Sequence, residues 1–353
     1  MIKEYHIENS FKSCWEKKIL DWYRINKRDL PWRKKENQNF YRIWISEVML
    51  QQTGVKTVIP YYIKFLKKWP TLESFFKAEL IEILKVWQGL GYYQRAKNLY
   101  NAKEFLKKKH PLNTPESLKK IPGIGDYISS SICAILYDKS CAVIDSNIKR
   151  IITRAFALEV EKKNYNNVLK DIAQKLTPLK NNGKYCQSLM DLANLVCKPT
   201  EPKCIICPIN NLCAKKTNNK TKVKVFKKKI KIGVVFFVSY KDEFLIERSE
   251  KKLLQGLYNY PFSKFVELND HRNENNIKRN LISRWLKSFK LEQSYKNISF
   301  VEHEFSHFRL KLSIVNIKLK KKIILTEYEW INKNEFDLLP ISTLMTKIKE
   351  KTL

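Results

Sequence analysis

The sequence predicts an all-α domain followed by a smaller α/β domain. Three observations carry this. From residue 11 to about 213, apolar side chains recur at three- and four-residue spacing between short breaks marked by Gly and Pro. Residues 215–231 are polar and lysine-rich, with little to bury. Beyond them the apolar period shortens to that of strands. A chain of 353 residues has room for two cores. The expected division is 1–215 for the helical domain, 216–230 for a basic linker and 231–353 for the second domain.

Taken in order, the helical period places helices at 11–26, 41–50, 56–69, 72–78, 80–88, 93–108, 115–120, 127–137, 146–157, 164–176 and 182–196. Asp126 and Asp145 stand before two of these as N-terminal caps. In the second domain, 231–240 and 243–247 read as strands and 276–287 as a helix. Residues 301–318 read as long strand material, and a final helix runs 342–351. No internal repeat is visible.

The chain carries 68 Lys+Arg against 35 Asp+Glu, a formal charge of +33. Such a balance suits a polyanion, nucleic acid above all. Overuse of Lys, Asn and Ile also fits a compositional bias, so charge alone decides little. The longest apolar stretch, 233–238, is strand-sized rather than membrane-spanning. Residues 1–18 are charged throughout, without the apolar centre of a signal peptide. The expectation is a cytoplasmic protein with no membrane partner, in which Cys14, Cys133, Cys141 and Cys186 are ordinary buried thiols.

The other four cysteines, Cys197, Cys204, Cys207 and Cys213, are spaced C-x6-C-x2-C-x5-C. Pro199, Pro202 and Pro208 break the segment too often for it to form a core of its own. In a chain without export signals, clustered cysteines are metal ligands sooner than disulfides. Tetrahedral zinc usually draws on two close pairs, and only one C-x2-C exists here. Four ligands along a compact loop suit an iron–sulfur cube, but spacing alone leaves both metals open.

Residues 118–131 read LKKIPGIGDYISSS: a helix end, the turn Pro122-Gly123-Ile124-Gly125, and a new helix. Gly123 and Gly125 allow a sharp turn that leaves amide N–H groups free at a helix N-terminus, where a DNA phosphate binds well. A plain helix–helix turn explains the tetrapeptide equally well. Twenty residues after Gly125, Asp145 in AVIDSNIKR follows an apolar run and opens a helix carrying Lys149 and Arg150; taken singly it is an N-cap.

Together, the hairpin, the downstream aspartate and the four-cysteine loop resemble the helix–hairpin–helix, Gly/Pro-rich-loop and Asp superfamily of DNA glycosylases. Residues 43–55, IWISEVMLQQTGV, and 87–99, WQGLGYYQRAKNL, closely resemble the MutY family, the adenine DNA glycosylases that remove adenine mispaired with 8-oxoguanine. GLYNYP (256–261) and EFSHFRL (304–310) look like that family's second, Nudix-like domain. The likeness covers nearly the whole chain. It implies a [4Fe–4S] cluster held by the four cysteines. It also implies a monomer acting on double-stranded DNA with A:8-oxoguanine or A:G mispairs.

Carried over residue by residue, Glu47 matches the catalytic acid, which protonates adenine so that it departs more easily. Asp145 matches the carboxylate that stabilises the oxocarbenium-like sugar, with Asn147 beside it; two carboxylates in different settings do different work, as in glycoside hydrolysis. Tyr127 stands where strand-cleaving relatives of the endonuclease III type carry a lysine. A phenol forms no Schiff base, so the resemblance implies base removal by water alone. Gln52 and Tyr92 match residues that wedge into the duplex as the base leaves the stack. Arg33, in LPWR, matches a contact to the flipped base, across a slightly expanded spacing to Glu47. Gly54 stands where a longer residue is expected. Phe305, Ser306 and His307 match the loop that reads the oxidised guanine. His303 and His307 otherwise read as a pair on one strand face. No G-x5-E-x7-R-E-x2-E-E box is present, so the second domain is expected to read a lesion rather than hydrolyse pyrophosphate. Two other readings are an endonuclease III-like pyrimidine-lesion glycosylase, and an inactive damage-binding protein; Tyr127 opposes the first, and the pair Glu47 and Asp145 the second.

Overall fold

The structure, a computed structural model, describes residues 7–108, 112–214, 228–249, 254, 256–268, 273–291, 294–305 and 307–353. It divides into two compact units. One comprises Met1–Lys77 with Asn98–Lys224, the other Ala78–Lys97 with Val225–Leu353.

The first unit is helical. α1 (Asn9–Asn26), α2 (Phe40–Leu50), α3 (Val55–Lys68) and α4 (Leu72–Phe76) precede the excursion into the second unit. α7 (Pro115–Leu118), α8 (Asp126–Tyr137), α9 (Ser146–Ala155), α10 (Tyr165–Leu176) and α11 (Asn182–Leu195) follow it. α2 is apolar around most of its circumference, with Tyr41 and residues 43–49 all buried. A helix apolar on every side belongs inside a core rather than on its surface. α11 is the other interior helix: it packs against α1, α8 and α9, and it buries polar residues as well as apolar ones.

Two local devices bring α11 onto α8. Asp138 ends α8 in the left-handed conformation, at φ 52°. Its carboxylate accepts from the backbone N–H groups of Asn181 (2.8 Å), Asn182 and Gly183, the donors that open α11. Gly183 then lets the two backbones approach closely. A Cβ there would lie 2.9 Å from the carbonyl oxygen of Ala134 and 3.0 Å from the Cα of Ile135.

The second unit contains α5 (Leu80–Trp87) and a mixed sheet in the order β3-β2-β1-β6-β5. Its strands are β1 (Lys229–Tyr240), β2 (Glu243–Arg248), β3 (Tyr258–Asn259), β5 (Lys296–Glu304) and β6 (Phe308–Lys318), with β4 (Val266–Glu267) on β1 and β7 (Glu329–Asn332) on β2. β1 and β6 pair in parallel from Lys229–Phe308 to Ser239–Lys318, and the other pairings are antiparallel. Alternate β1 residues serve two cores. Val234, Phe236 and Val238 pack with Trp285 of α12 (Glu274–Ser288). Val235 and Phe237 pack with Phe336 of α13 (Lys333–Asp337) and Met345 of α14 (Thr343–Thr352). A strand covered on both faces needs a continuous apolar run, and GVVFFV supplies it.

Several expectations need correction. Residues 301–318 are strand material as expected, but in two strands: β5 and β6 form a hairpin, closed by Phe305 N–H donating to Phe308 O at 2.9 Å. His303 therefore lies on β5 while His307 lies in the turn. Asp126 is the first residue of α8 rather than its cap. Gly125 occupies that place, and Asp126 pairs with Lys119 at 3.1 Å. Cys133 and Cys186 are buried, but Cys14 and Cys141 are partly exposed. The short elements β3, β4, β7 and α13 lack enough residues to show a period.

Gly183→Ala should lower the stability of the helical unit by about 1–3 kcal/mol, the range for forcing atoms into a packed site. Its methyl meets backbone on α8, which cannot swing away as a flexible side chain would. Chemical denaturation of the two proteins side by side checks this.

Candidate active site

Glu47 lies within the buried stretch of α2 and is only 4% exposed. Burial pushes its carboxyl up to about 7, because removing water disfavours the anion. The hydroxyls of Tyr127 and Ser131 pull it partly back, the nearby Asp145 raises it further, and Arg33 lowers it slightly. Tyr127 and Ser131 stand four residues apart on α8, so both lie on one helix face. Oε2 of Glu47 and Oγ of Ser131 have no hydrogen-bond partner among the described residues. Burial, then the Glu47 charge, holds the Tyr127 phenol far above its ordinary value, so it remains a neutral hydroxyl.

Asp145 is the N-cap of α9, as expected. Its Oδ1 accepts from the N–H groups of Asn147 (2.9 Å) and Ile148 (2.7 Å), and its Oδ2 from Nδ2 of Asn147 (2.8 Å). These are donors suited to a carboxylate anion. The helix start thereby fixes where this side chain sits. Asn147 continues the chain, for its Oδ1 accepts from Arg150 at 3.1 Å. Arg150 also donates to the carbonyls of Cys197 (2.9 Å) and Ala193 (3.0 Å).

One turn later, Arg154 donates to Cys197 Sγ at 3.4 Å and to the carbonyls of Lys198 (2.7 Å) and Pro199 (2.8 Å). α9 thus presents Asp145 at one end and grips the cysteine segment with its other half. All four cysteines, Cys197, Cys204, Cys207 and Cys213, line one cavity together with Ile151, Val196 and Ile209. Burial, followed by the other three sulfurs, pushes the Cys207 thiol up to about 11. Among the described residues, no three His, Cys, Asp or Glu side chains form a ready-made single-ion site.

Glu47 also lines a cavity with Arg28, Arg33, Trp32, Gln187 and Met190. Asp191, fully buried on α11, organises its charged wall. It pairs with Arg28 at 2.6 Å and with Arg33 at 2.7 and 2.9 Å through both terminal nitrogens. Arg33 is thereby fixed, with its Nε buried and without a partner among the described residues. Gln187 accepts from the Tyr23 hydroxyl at 3.2 Å. Sequence reasoning missed Arg28, Gln187 and Asp191. The available signal was the polar pair Gln187 and Asp191, one turn apart on α11. Nothing in the sequence says that they face residues 28–47.

The remaining candidates occupy separate places. Gly123 adopts φ 84°, and a Cβ there would lie 2.6 Å from Cβ of Asn98, so both conformation and packing demand glycine. Gly125 is exposed at the start of α8, with open space around it. Gln52 is exposed in the turn after α2 at φ 55°, and Tyr92, in the second unit, has φ 49° and is 43% exposed. Both wedge candidates therefore hold a left-handed backbone, a strain that concentrates at functional sites. Gly54 caps α3 at φ −69° with nothing near its Cβ position, so a longer residue would fit without strain. In the second unit Phe305 stacks on Phe308 at 4.7 Å and meets His303 at 4.8 Å. His307 is exposed, and Ser306 lies outside the described residues.

Residues 45–178 match the model of the HhH-GPD superfamily of base excision DNA repair proteins, and 234–351 that of the NUDIX domain. The adenine DNA glycosylase of Buchnera aphidicola subsp. Baizongia pistaciae is 33% identical, over 94% of this chain and 96% of that protein. Rat adenine DNA glycosylase is 37% identical over 60% of this chain and 44% of its own length. Among solved structures, a thermostable thymine-DNA glycosylase is 29% identical with a TM-score of 0.53, covering 59% of this chain and 97% of its own. An endonuclease III–DNA complex, 17% identical with a TM-score of 0.50, covers 60% and 97% and shares the helical fold. With identity of this level running through both domains, the chain belongs to the adenine DNA glycosylase family.

Proposed function

We propose that this protein is a monofunctional adenine DNA glycosylase that removes adenine mispaired with 8-oxoguanine, or with guanine, from double-stranded DNA. The observation that carries the reading is the dry, near-neutral carboxyl of Glu47 on a cavity whose other polar groups are Arg28, Arg33 and Gln187. An extruded adenine in that cavity receives the Glu47 proton at N7. The bond between C1′ and N9 then breaks, and its electron pair leaves with the base. Asp145, fixed by its capping bonds, faces the positive charge that develops on the sugar. Water adds to C1′ and gives up a proton, leaving an abasic sugar. Tyr127 offers no amine, so the strand stays intact. Trp32 and Met190 exclude water from the base, and Arg33 and Gln187 supply the polar contacts that orient it.

The four cysteines suit a [4Fe–4S] cluster: all four line one cavity beside Ile151, Val196 and Ile209, with an arginine donor on one sulfur. Bound there, the cluster would tie the segment 197–213 into a fixed shape. Through Arg150 and Asn147 that shape also supports Asp145. The Phe305–His307 turn is the reader of the oxidised base. Its aromatic stack gives a rigid platform, and the exposed His307 a polar edge.

Glu47→Gln should retain binding to an A:8-oxoguanine duplex and lose base release by about 10²–10⁴-fold in single turnover, the usual worth of general acid catalysis. The wild-type chemical step should weaken as pH rises through about 7, where the acid loses its proton. Stability falls over the same rise in pH. Glu47 has a folded pKa above its unfolded value, so its contribution is full below about 4.5 and is lost as pH rises through 7. At pH 8 the amide variant should therefore be the more stable protein, by up to about 3 kcal/mol. Near wild-type base release by Glu47→Gln would remove the acid from the mechanism.

Protein purified without oxygen should contain about four irons and matching sulfide per chain, with broad absorption in the visible. Stoichiometric zinc with no iron would replace the cluster by a structural zinc site.

A further inference from the structure

We infer that Arg95 is a positioning residue for the DNA wedge: it holds the turn at residues 89–92 in a preformed left-handed shape that presents Tyr92. The inference rests on the reading of Tyr92 as the wedge and adds the device that sets it.

Arg95 stands at the start of α6 (Gln94–Leu106) and is 7% exposed. That is a poor place for a cation. Helix N-termini favour negative charge, and burial penalises a guanidinium. Burial lowers Arg95 to about 10, from an ordinary value of 12.5. A group kept against both local rules needs a compensating role. The turn before it shows one. The guanidinium donates to the carbonyls of Leu90 (3.3 Å), Gly91 (3.0 Å) and, weakly, Tyr92 (3.4 Å), gathering three successive carbonyls onto one planar fork. It also lies 5.4 Å from the ring centroids of both Trp87 and Tyr92.

Two neighbours complete the clamp. Trp87 Nε1–H donates to Gly91 O at 3.1 Å, and Gly89 N–H donates to the Tyr93 hydroxyl at 3.3 Å. The backbone they hold is costly. Gly89, Gly91 and Tyr92 all have positive φ, at 95°, 73° and 49°. Glycine accepts this freely, whereas tyrosine loses about 1–2 kcal/mol there. Without the clamp, Tyr92 would relax to ordinary φ and its ring would leave the exposed position. Setting the turn in advance removes an ordering cost from the moment of DNA binding.

The test is a double-mutant cycle on the full chain. A duplex with 2-aminopurine beside the mispaired adenine reports unstacking by fluorescence, and melting temperature is followed in parallel. Arg95→Lys keeps the charge but not the planar fork; Trp87→Phe keeps the ring but not the donor, and serves if the lysine variant does not fold. Either single variant should reduce the unstacking signal and duplex affinity at least fivefold. Neither should add anything in a Tyr92→Ala background, because the clamp acts only through that ring. Additive losses in the double variants would overturn the inference while leaving the wedge intact. So would an unchanged signal in both Arg95→Lys and Trp87→Phe. An unchanged signal in Tyr92→Ala alone would overturn the wedge reading, and the inference with it.

Discussion

The desolvation of a single carboxyl organises the helical unit. Glu47 sits among apolar residues of α2, where an isolated charge is costly and where only a few groups can approach it. Tyr127 and Ser131 come from α8, Asp145 from the cap of α9, Arg33 from the segment before α2. Each must arrive at one point, so the packing of α8 and α11 is held to tight tolerance. Gly183 and the Asp138 cap are the means by which that tolerance is met. The same burial that weakens the fold at neutral pH keeps a proton on the carboxyl to near pH 7, and the proposed acid chemistry needs that proton. Stability and chemistry are set against each other in one side chain.

α9 links the neighbourhood of Glu47 to the cysteine segment. Its N-cap is Asp145, and its next turns carry Arg150 and Arg154, which hold the backbone and sulfur of Cys197. The cysteine segment is thereby part of the support of the carboxylate, without touching it. Asn147 is the intermediate: its amide donates to Asp145 and accepts from Arg150. A change in the shape of 197–213 would reach Asp145 through three hydrogen bonds, by way of Arg150 and Asn147. The Ala193 carbonyl, near the end of α11, also receives Arg150.

Much of this was legible from residues alone, for reasons that differ by element. Helices of ten residues or more show their period plainly, and the sharp Pro122–Gly125 turn marks itself by composition. Asp145 was visible because a cap lies next to the helix that it caps. The cavity wall was not visible. Arg28, Arg33 and Asp191 meet across more than 150 residues, and only the tertiary fold pairs them. Asp126 was mistaken for a cap because Gly125, extended and without a side chain, gives no capping signal. Within 301–318 the apolar period alone did not mark where β5 ends and β6 begins, since no Gly, Asn or Pro stands between them. The left-handed backbone at Gln52 and Tyr92 had no sequence mark either, since neither residue type favours it.

The central claim is that the fold, before any DNA arrives, keeps the Glu47 carboxyl protonated to near-neutral pH. The most direct measurement is the titration of that carboxyl in the free protein, by infrared or carbon NMR with labelled glutamate, assigned by subtracting Glu47→Gln. The account predicts a midpoint near 7. A midpoint near the ordinary 4.5 would contradict it, because water would then reach Glu47 freely and the cavity would not be the dry site described.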